Sequence, residues 1–210
     1  LLGYYSAAFV LSAAIIDGIS SILSPVILPL LSRVQDFQDQ FQKRCRFCIH
    51  IAASIASLMG IFFILMGGWL MILVYGDKYL AAAPLMVWLG ATQSIRLLRF
   101  AFSIIALSKG DSVNPTISNM FRAFSFVLAF IFATHGADIV WIAASGLFGE
   151  LLAVVASIGM LKYRLAIPIQ YFLSPFIVSI AGPALAAMFW NAGLSNSSSL
   201  FAFLVALSLS

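Results

Sequence analysis

Two arginines interrupt an apolar run at Thr92-Gln-Ser-Ile-Arg-Leu-Leu-Arg99, and a third lies in the run Asn119-Met-Phe-Arg-Ala-Phe-Ser125. Charge inside a membrane segment is costly, and it is usually kept where it faces a protein interior or a water-filled cavity. Arg96, Arg99 and Arg122 therefore predict a polar interior within a membrane protein, around which the other helices pack.

The composition supports the membrane assignment independently of any motif. Hydrophobic residues make up 63% of the chain and charged residues 9%, and the mean hydropathy is +1.09. Several apolar runs reach the roughly 20 residues that a membrane helix needs, whereas barrel strands would alternate over about 10 residues. We predict an all-α fold, a polytopic transmembrane helical bundle.

The apolar runs predict six complete helices and the beginning of a seventh. The seventh starts near Leu200, and the chain starts at Leu1-Leu2 and stops at Ser210 inside that run, so we expect a fragment. The predicted complete helices cover about 6–31, 47–75, 80–107, 113–134, 138–160 and 169–190.

The charged loops predict the orientation of these helices. Loops 33–46, 108–112 and 161–168 hold most of the basic residues, whereas the intervening loops hold only Lys78. The positive-inside rule places the first set in the cytoplasm, so the first helix runs from outside to inside. The net charge of +4 is therefore interpreted as a topology signal, and no nucleic-acid partner is expected.

Helix rise estimates the depth of the buried charges. At 1.5 Å per residue, Arg99 lies about 12 Å and Arg122 about 14 Å from the cytoplasmic ends of their helices, with Arg96 one turn deeper. Asp17 and Glu150 lie about 16–21 Å from either end of theirs, near the midplane.

Two interpretations of these five charges remain open. In the first, Asp17 and Glu150 pair with two of the arginines and only fix the packing. In the second, the excess of arginine leaves a hydrated, net positive cavity for an anionic headgroup, because the planar guanidinium binds phosphate or carboxylate oxygens bidentately.

The first predicted helix carries a candidate hinge. Pro25 and Pro29 lie in its last turns, where they free backbone carbonyls and allow a kink. Membrane helices tolerate such positions when neighbours or water satisfy the backbone. A packing kink and a gating hinge are both compatible with this pattern.

Three stretches carry a family resemblance. They are Gly3-Tyr-Tyr-Ser-Ala-Ala8 in a helix that ends Pro29-Leu-Leu-Ser-Arg33, then Tyr75-Gly-Asp-Lys-Tyr-Leu-Ala-Ala-Ala-Pro84, then Ala106-Leu-Ser-Lys-Gly-Asp111. Their order and spacing over about residues 3–165 resemble the carboxy-terminal half of bacterial polysaccharide or O-antigen flippases. These belong to the multidrug/oligosaccharidyl-lipid/polysaccharide exporter superfamily.

The resemblance implies a two-lobed transporter that works by alternating access. Residues 1–165 would form the carboxy-terminal lobe without its first helix, and residues 166–210 an extra helix pair whose second helix is truncated. The protein would lie in the bacterial inner membrane and move undecaprenyl-pyrophosphate-linked oligosaccharide for O-antigen of lipopolysaccharide, capsule or exopolysaccharide. Membrane lipids and the polysaccharide polymerase machinery are the further partners it implies.

The resemblance also implies roles for the charged residues. Arg96, Arg99 and Arg122, with Gln93 on the same helix face, would bind the pyrophosphate or acidic sugars. Asp17 and Glu150 would carry coupling ions or act as counter-ions to the arginines.

The alternatives are a multidrug exporter of the same superfamily and a non-transporting membrane scaffold. Exporters of cationic drugs would be expected to favour carboxylates over arginine in the cavity. An enzyme is not expected, since no nucleophile with a base, phosphate loop, cofactor site or metal site is found; Cys45-Arg-Phe-Cys48 lacks the second pair of a zinc site.

Overall fold

The computed structural model describes residues 2–191, and within them the chain is entirely helical, as predicted. A 3₁₀ helix, Asp77–Ala82, links α2 to α3. The predicted seventh helix lies outside the described residues. The α-helices are α1 (Leu2–Ser32), α2 (Gln38–Tyr75), α3 (Ala83–Ser108), α4 (Val113–Thr134), α5 (Ile139–Leu165) and α6 (Gln170–Asn191).

Helix α3 lies at the centre of the bundle. It packs against α1, α2 and α5, while α4 packs mainly against α5 and α6 against α2. Between residues 92 and 108 of α3, the residues that are not buried are Arg96, Phe100, Ser103 and Leu107. Their spacing of four, three and four residues places them on one helical face, so α3 keeps a single open stripe.

Four of the described helices, α1, α2, α4 and α5, are long and apolar enough to cross a membrane. The arginine-bearing α3 is not among them, although the apolar pattern predicted a span there. It is instead enclosed by its neighbours along most of its length, and this enclosure shields its polar residues from lipid.

Several predicted helix boundaries were wrong because hydropathy marks only the apolar part of a helix. The predicted loop 33–46 is largely the first turns of α2, which begins at Gln38. Glutamine, lysine and arginine are good helix formers, so the helix continues past its apolar segment. Likewise α5 continues to Leu165, where Lys162 and Arg164 complement the carbonyl end of the helix dipole.

The three basic loops meet at one end of the bundle, as the predicted alternation requires. The Gln38 side chain donates to the Leu165 carbonyl at 3.0 Å. Lys109 Nζ contacts the Gln35 carbonyl, and Arg164 Nε lies 2.9 Å from Asp111 Oδ2. These contacts join the connections between α1 and α2, α3 and α4, and α5 and α6.

Candidate functional site

A buried carboxylate bridges two of the predicted arginines. Arg99 Nε donates to Glu150 Oε2 at 2.8 Å, and Arg122 lies 3.5 Å from Glu150 Oε1 through its terminal nitrogen. The Arg99 and Glu150 side chains are 8% and 4% exposed, whereas Arg122 is 38% exposed. Glu150 on α5 therefore binds Arg99 of α3, which is inside the bundle, and Arg122 of α4, which is partly exposed at the bundle surface.

The remaining contacts of Arg99 tie its guanidinium to α4. One terminal nitrogen donates to Asn119 Oδ1 at 3.1 Å and to Ser118 Oγ at 3.4 Å. A buried guanidinium is costly unless its donors are satisfied by charge and hydrogen bonds, and these partners supply both. Through Nε and one terminal nitrogen, Arg99 thus joins α3 to α4 and α5.

The second ion pair is more open. Arg96 lies 3.2 Å from Asp17 Oδ1 of α1, with side-chain exposures of 32% and 58%. Gln93, which is itself buried, accepts a hydrogen bond from Arg96 at 3.2 Å. Gln93, which was predicted from the sequence, therefore orients Arg96. The side chains of Arg96 and Arg122 both remain partly exposed.

The structure brings all five predicted charges into ion pairs, whereas the first arrangement considered from the sequence paired only two of the three arginines. Three arginines against two carboxylates leave one formal positive charge. Arg96 lies on the open stripe of α3, between Asp17 of α1 on one side and the Arg99 contacts to α4 on the other.

Two cavities of ≈ 500 and ≈ 650 Å³ lie elsewhere in the bundle, and no arginine lines either. Their linings are mostly apolar and share Ile64, Val87 and Trp88. Of the three arginines, Arg96 lies on the open stripe of α3, Arg122 is partly exposed on α4, and Arg99 is buried between them and α5. The candidate headgroup site is therefore an open face of this chain, separate from these apolar cavities.

The candidate hinge lies within one continuous helix. Helix α1 runs from Leu2 through Pro25 and Pro29 to Ser32 without interruption. A hinge role for the two prolines stays a prediction.

The sequence analysis missed two polar contacts that hold α5 in place. Asn114 of α4 donates to the Ser157 carbonyl at 3.0 Å and accepts from Ser157 Oγ at 2.7 Å. Asp111 pairs with Arg164. Asn114, Ser118 and Ser125 are four and seven residues apart, which places them on one face of α4, but this spacing does not identify the partner of that face.

The close contact of α4 and α5 beside this site depends on Gly149. A Cβ at residue 149 would lie 2.5 Å from Ser125 Cβ and 2.9 Å from the Arg122 carbonyl oxygen. Gly149→Ala is therefore expected to lower the free energy of unfolding by about 1–3 kcal/mol, the usual cost of overpacking. Thermal unfolding of the purified protein measures this.

Gly159 of the same helix is the matched control for Gly149→Ala. A Cβ there meets no atom within 4 Å, so Gly159→Ala should leave stability unchanged or raise it by up to about 1 kcal/mol through helix propensity. Equal effects of the two substitutions would contradict the close packing of α4 on α5.

The cysteine pair does not form a site with other residues. Cys45 and Cys48 are buried, reduced thiols in α2. Across the described ranges, no group of three or more His, Cys, Asp or Glu side chains is placed to hold a metal ion.

The apolar helices around a buried charge network define a multi-pass helical membrane protein. Residues 1–84 match the family model described as polysaccharide biosynthesis protein. This match supports the resemblance at the level of polysaccharide biosynthesis, and it covers less than half of the 210 residues. Together with the helices, it indicates a membrane protein of polysaccharide biosynthesis. No curated protein and no solved structure matches the chain.

Proposed function

We propose that the protein is part of a flippase that moves undecaprenyl-pyrophosphate-linked oligosaccharide across the bacterial inner membrane. The family match supports the process, and the arginines on the open face of the bundle support an anionic substrate. The observation that carries the proposal is that two arginines stay accessible: Arg122 is 38% exposed in a cluster with Arg99 and Glu150 that retains one positive charge, and Arg96 is 32% exposed in its pair with Asp17.

The three arginines divide into two roles under this proposal. Arg99 has its donors directed to Glu150, Asn119 and Ser118, so it forms the framework of the site. Among residues 2–191, the polar partner of Arg122 is Glu150 at 3.5 Å, and its other N–H groups have no acceptor there. A pyrophosphate would bind such a planar donor set bidentately, which a lysine ammonium cannot do.

Arg96 would be the second headgroup ligand. It pairs with Asp17, whose carboxylate is more exposed than any other in the network, at 58%. An entering phosphate would compete with this carboxylate for the guanidinium, and a displaced Asp17 would then be free to take up a cation. Of the two carboxylates, Asp17 is therefore the better candidate for ion coupling, and Glu150 acts as the fixed counter-ion.

The experiment that tests the function uses cells that lack the gene. We expect loss of surface polysaccharide, accumulation of lipid-linked oligosaccharide in the cytoplasmic leaflet, and unchanged tolerance to a panel of cationic drugs. Expression of the intact gene should restore the polymer.

Two results would overturn the proposal. Intact polymer with raised drug sensitivity would assign the protein to multidrug export. Intact polymer with unchanged drug tolerance would favour a non-transporting scaffold, and the arginines would then have a structural role only.

A further inference from the structure

Lys43 and Arg46 form an exposed cationic pair at the basic end of α2. They are three residues apart and share one helical face. Two other cations at this end bind within the protein, since Arg164 pairs with Asp111 and Arg44 donates to the Leu30 carbonyl. Among the described residues, Lys43 and Arg46 have no carboxylate within ion-pair distance.

Arg46 is held in place by an aromatic ring of the neighbouring helix. Its guanidinium carbon lies 5.5 Å from the ring centroid of Tyr171, in the first turns of α6. A guanidinium over a ring keeps its in-plane N–H donors available, and its reduced freedom lowers the entropy cost of binding a phosphate. The α2–α6 junction therefore presents an oriented phosphate-binding group beside the Lys43 ammonium.

Apolar surface begins directly beside this pair. Phe47 and Ile51 of α2, which follow on the helix face of Lys43, are 62% and 38% exposed. Arg46 lies about 12 Å along α2 from its first residue, and a 38-residue helix of about 57 Å exceeds the roughly 30 Å hydrocarbon core. The first turns of α2 therefore lie at the level of the headgroups, with the apolar residues at the level of the chains.

We propose that Lys43, Arg46 and Tyr171 form a binding site for an anionic phospholipid of the cytoplasmic leaflet. The phosphate binds the two cations, and the acyl chains lie along Phe47 and Ile51. A soluble anion would gain nothing from the apolar part of this surface. Asp39 is on the same face but lies about 6 Å further from the membrane than Lys43, so it does not cover the pair.

Native mass spectrometry of the full-length protein, with phosphatidylglycerol compared against phosphatidylcholine, tests this site. We expect a preference for phosphatidylglycerol that falls roughly fivefold for each cation removed, or about twenty-five-fold in Lys43→Gln/Arg46→Gln. The matched control is Arg33→Gln/Lys162→Gln, which removes the same charge from exposed positions of the same end. It should retain most of the preference.

A second variant separates the specific site from general surface charge. Arg46→Lys keeps the charge but loses the planar group over Tyr171, and it should lower the preference severalfold with an unchanged melting temperature. Equal losses in the double variant and its control, or no preference in the unaltered protein, would overturn the proposal. The lipid site depends on the orientation of the helices in the membrane and not on the flippase function. Either proposal can therefore be overturned while the other stands.

Discussion

Glu150→Ala is expected to lower the free energy of unfolding by about 3–5 kcal/mol, because it leaves the Arg99 guanidinium buried without its charge partner. Arg99 is 8% exposed, so water cannot replace the lost carboxylate. Arg122 loses the same partner, but its greater exposure lets water solvate it. The apparent melting temperature of the purified protein, and its abundance in the membrane, measure the effect.

Two further variants identify the cause of this loss. Asp17→Ala removes a carboxylate that is 58% exposed, and we expect it to cost at most about 1 kcal/mol. Arg99→Met with Glu150→Leu replaces both buried charges by apolar groups, and it should recover most of the stability lost in Glu150→Ala. A Glu150→Ala protein as stable as Asp17→Ala would show that Glu150 is not the counter-ion that the structure indicates.

Arg122→Ala and Arg96→Ala are each expected to lower export of surface polysaccharide by about ten- to a hundredfold, the loss of one or two hydrogen bonds to a charged ligand. Membrane abundance should stay normal, because both side chains are partly exposed and no buried donor is left unpaired. Export is measured as surface polymer in cells that carry each variant as the only copy. Arg122→Lys keeps the charge without the planar fork, and we expect an intermediate loss.

Controls for this experiment separate binding from folding. Arg33→Ala removes an exposed arginine at the basic end of the bundle and should leave export unchanged. Arg99→Ala should lower abundance, because Glu150 then loses its closest partner. Normal export by both Arg122→Ala and Arg96→Ala, at normal abundance, would contradict the headgroup site and leave these arginines a structural role only.

The positions of the helices were more predictable from the sequence than the partners of the polar side chains. The centres of α1 to α6 were predictable because each helix contains an apolar run. The start of α2 was not predictable, because its first residues are polar: they favour a helix but give no hydropathy signal. The polar face of α4 was predictable from spacing alone. Its partners were not, because Asn114 bonds Ser157, which is 43 residues away in sequence.

The open stripe of α3 also required the structure. Spacing placed Gln93, Arg96 and Ser103 on a common face, yet Gln93 is buried and only part of that face stays accessible. Which part remains open depends on where α1, α4 and α5 contact α3. The sequence pattern of α3 alone therefore does not predict which of its residues stay accessible.

The sequence alone predicts a helical membrane protein with its basic loops at one end and five charges inside its apolar runs. These properties follow from composition, run length and helix rise, which are local. Which charges pair follows from the packing of the helices. Arg96 and Arg99 differ by about 60° around the axis of α3, yet one reaches Asp17 of α1 and the other Glu150 of α5. That choice depends on the neighbour that each side of the helix meets, and therefore on the packing of the whole bundle.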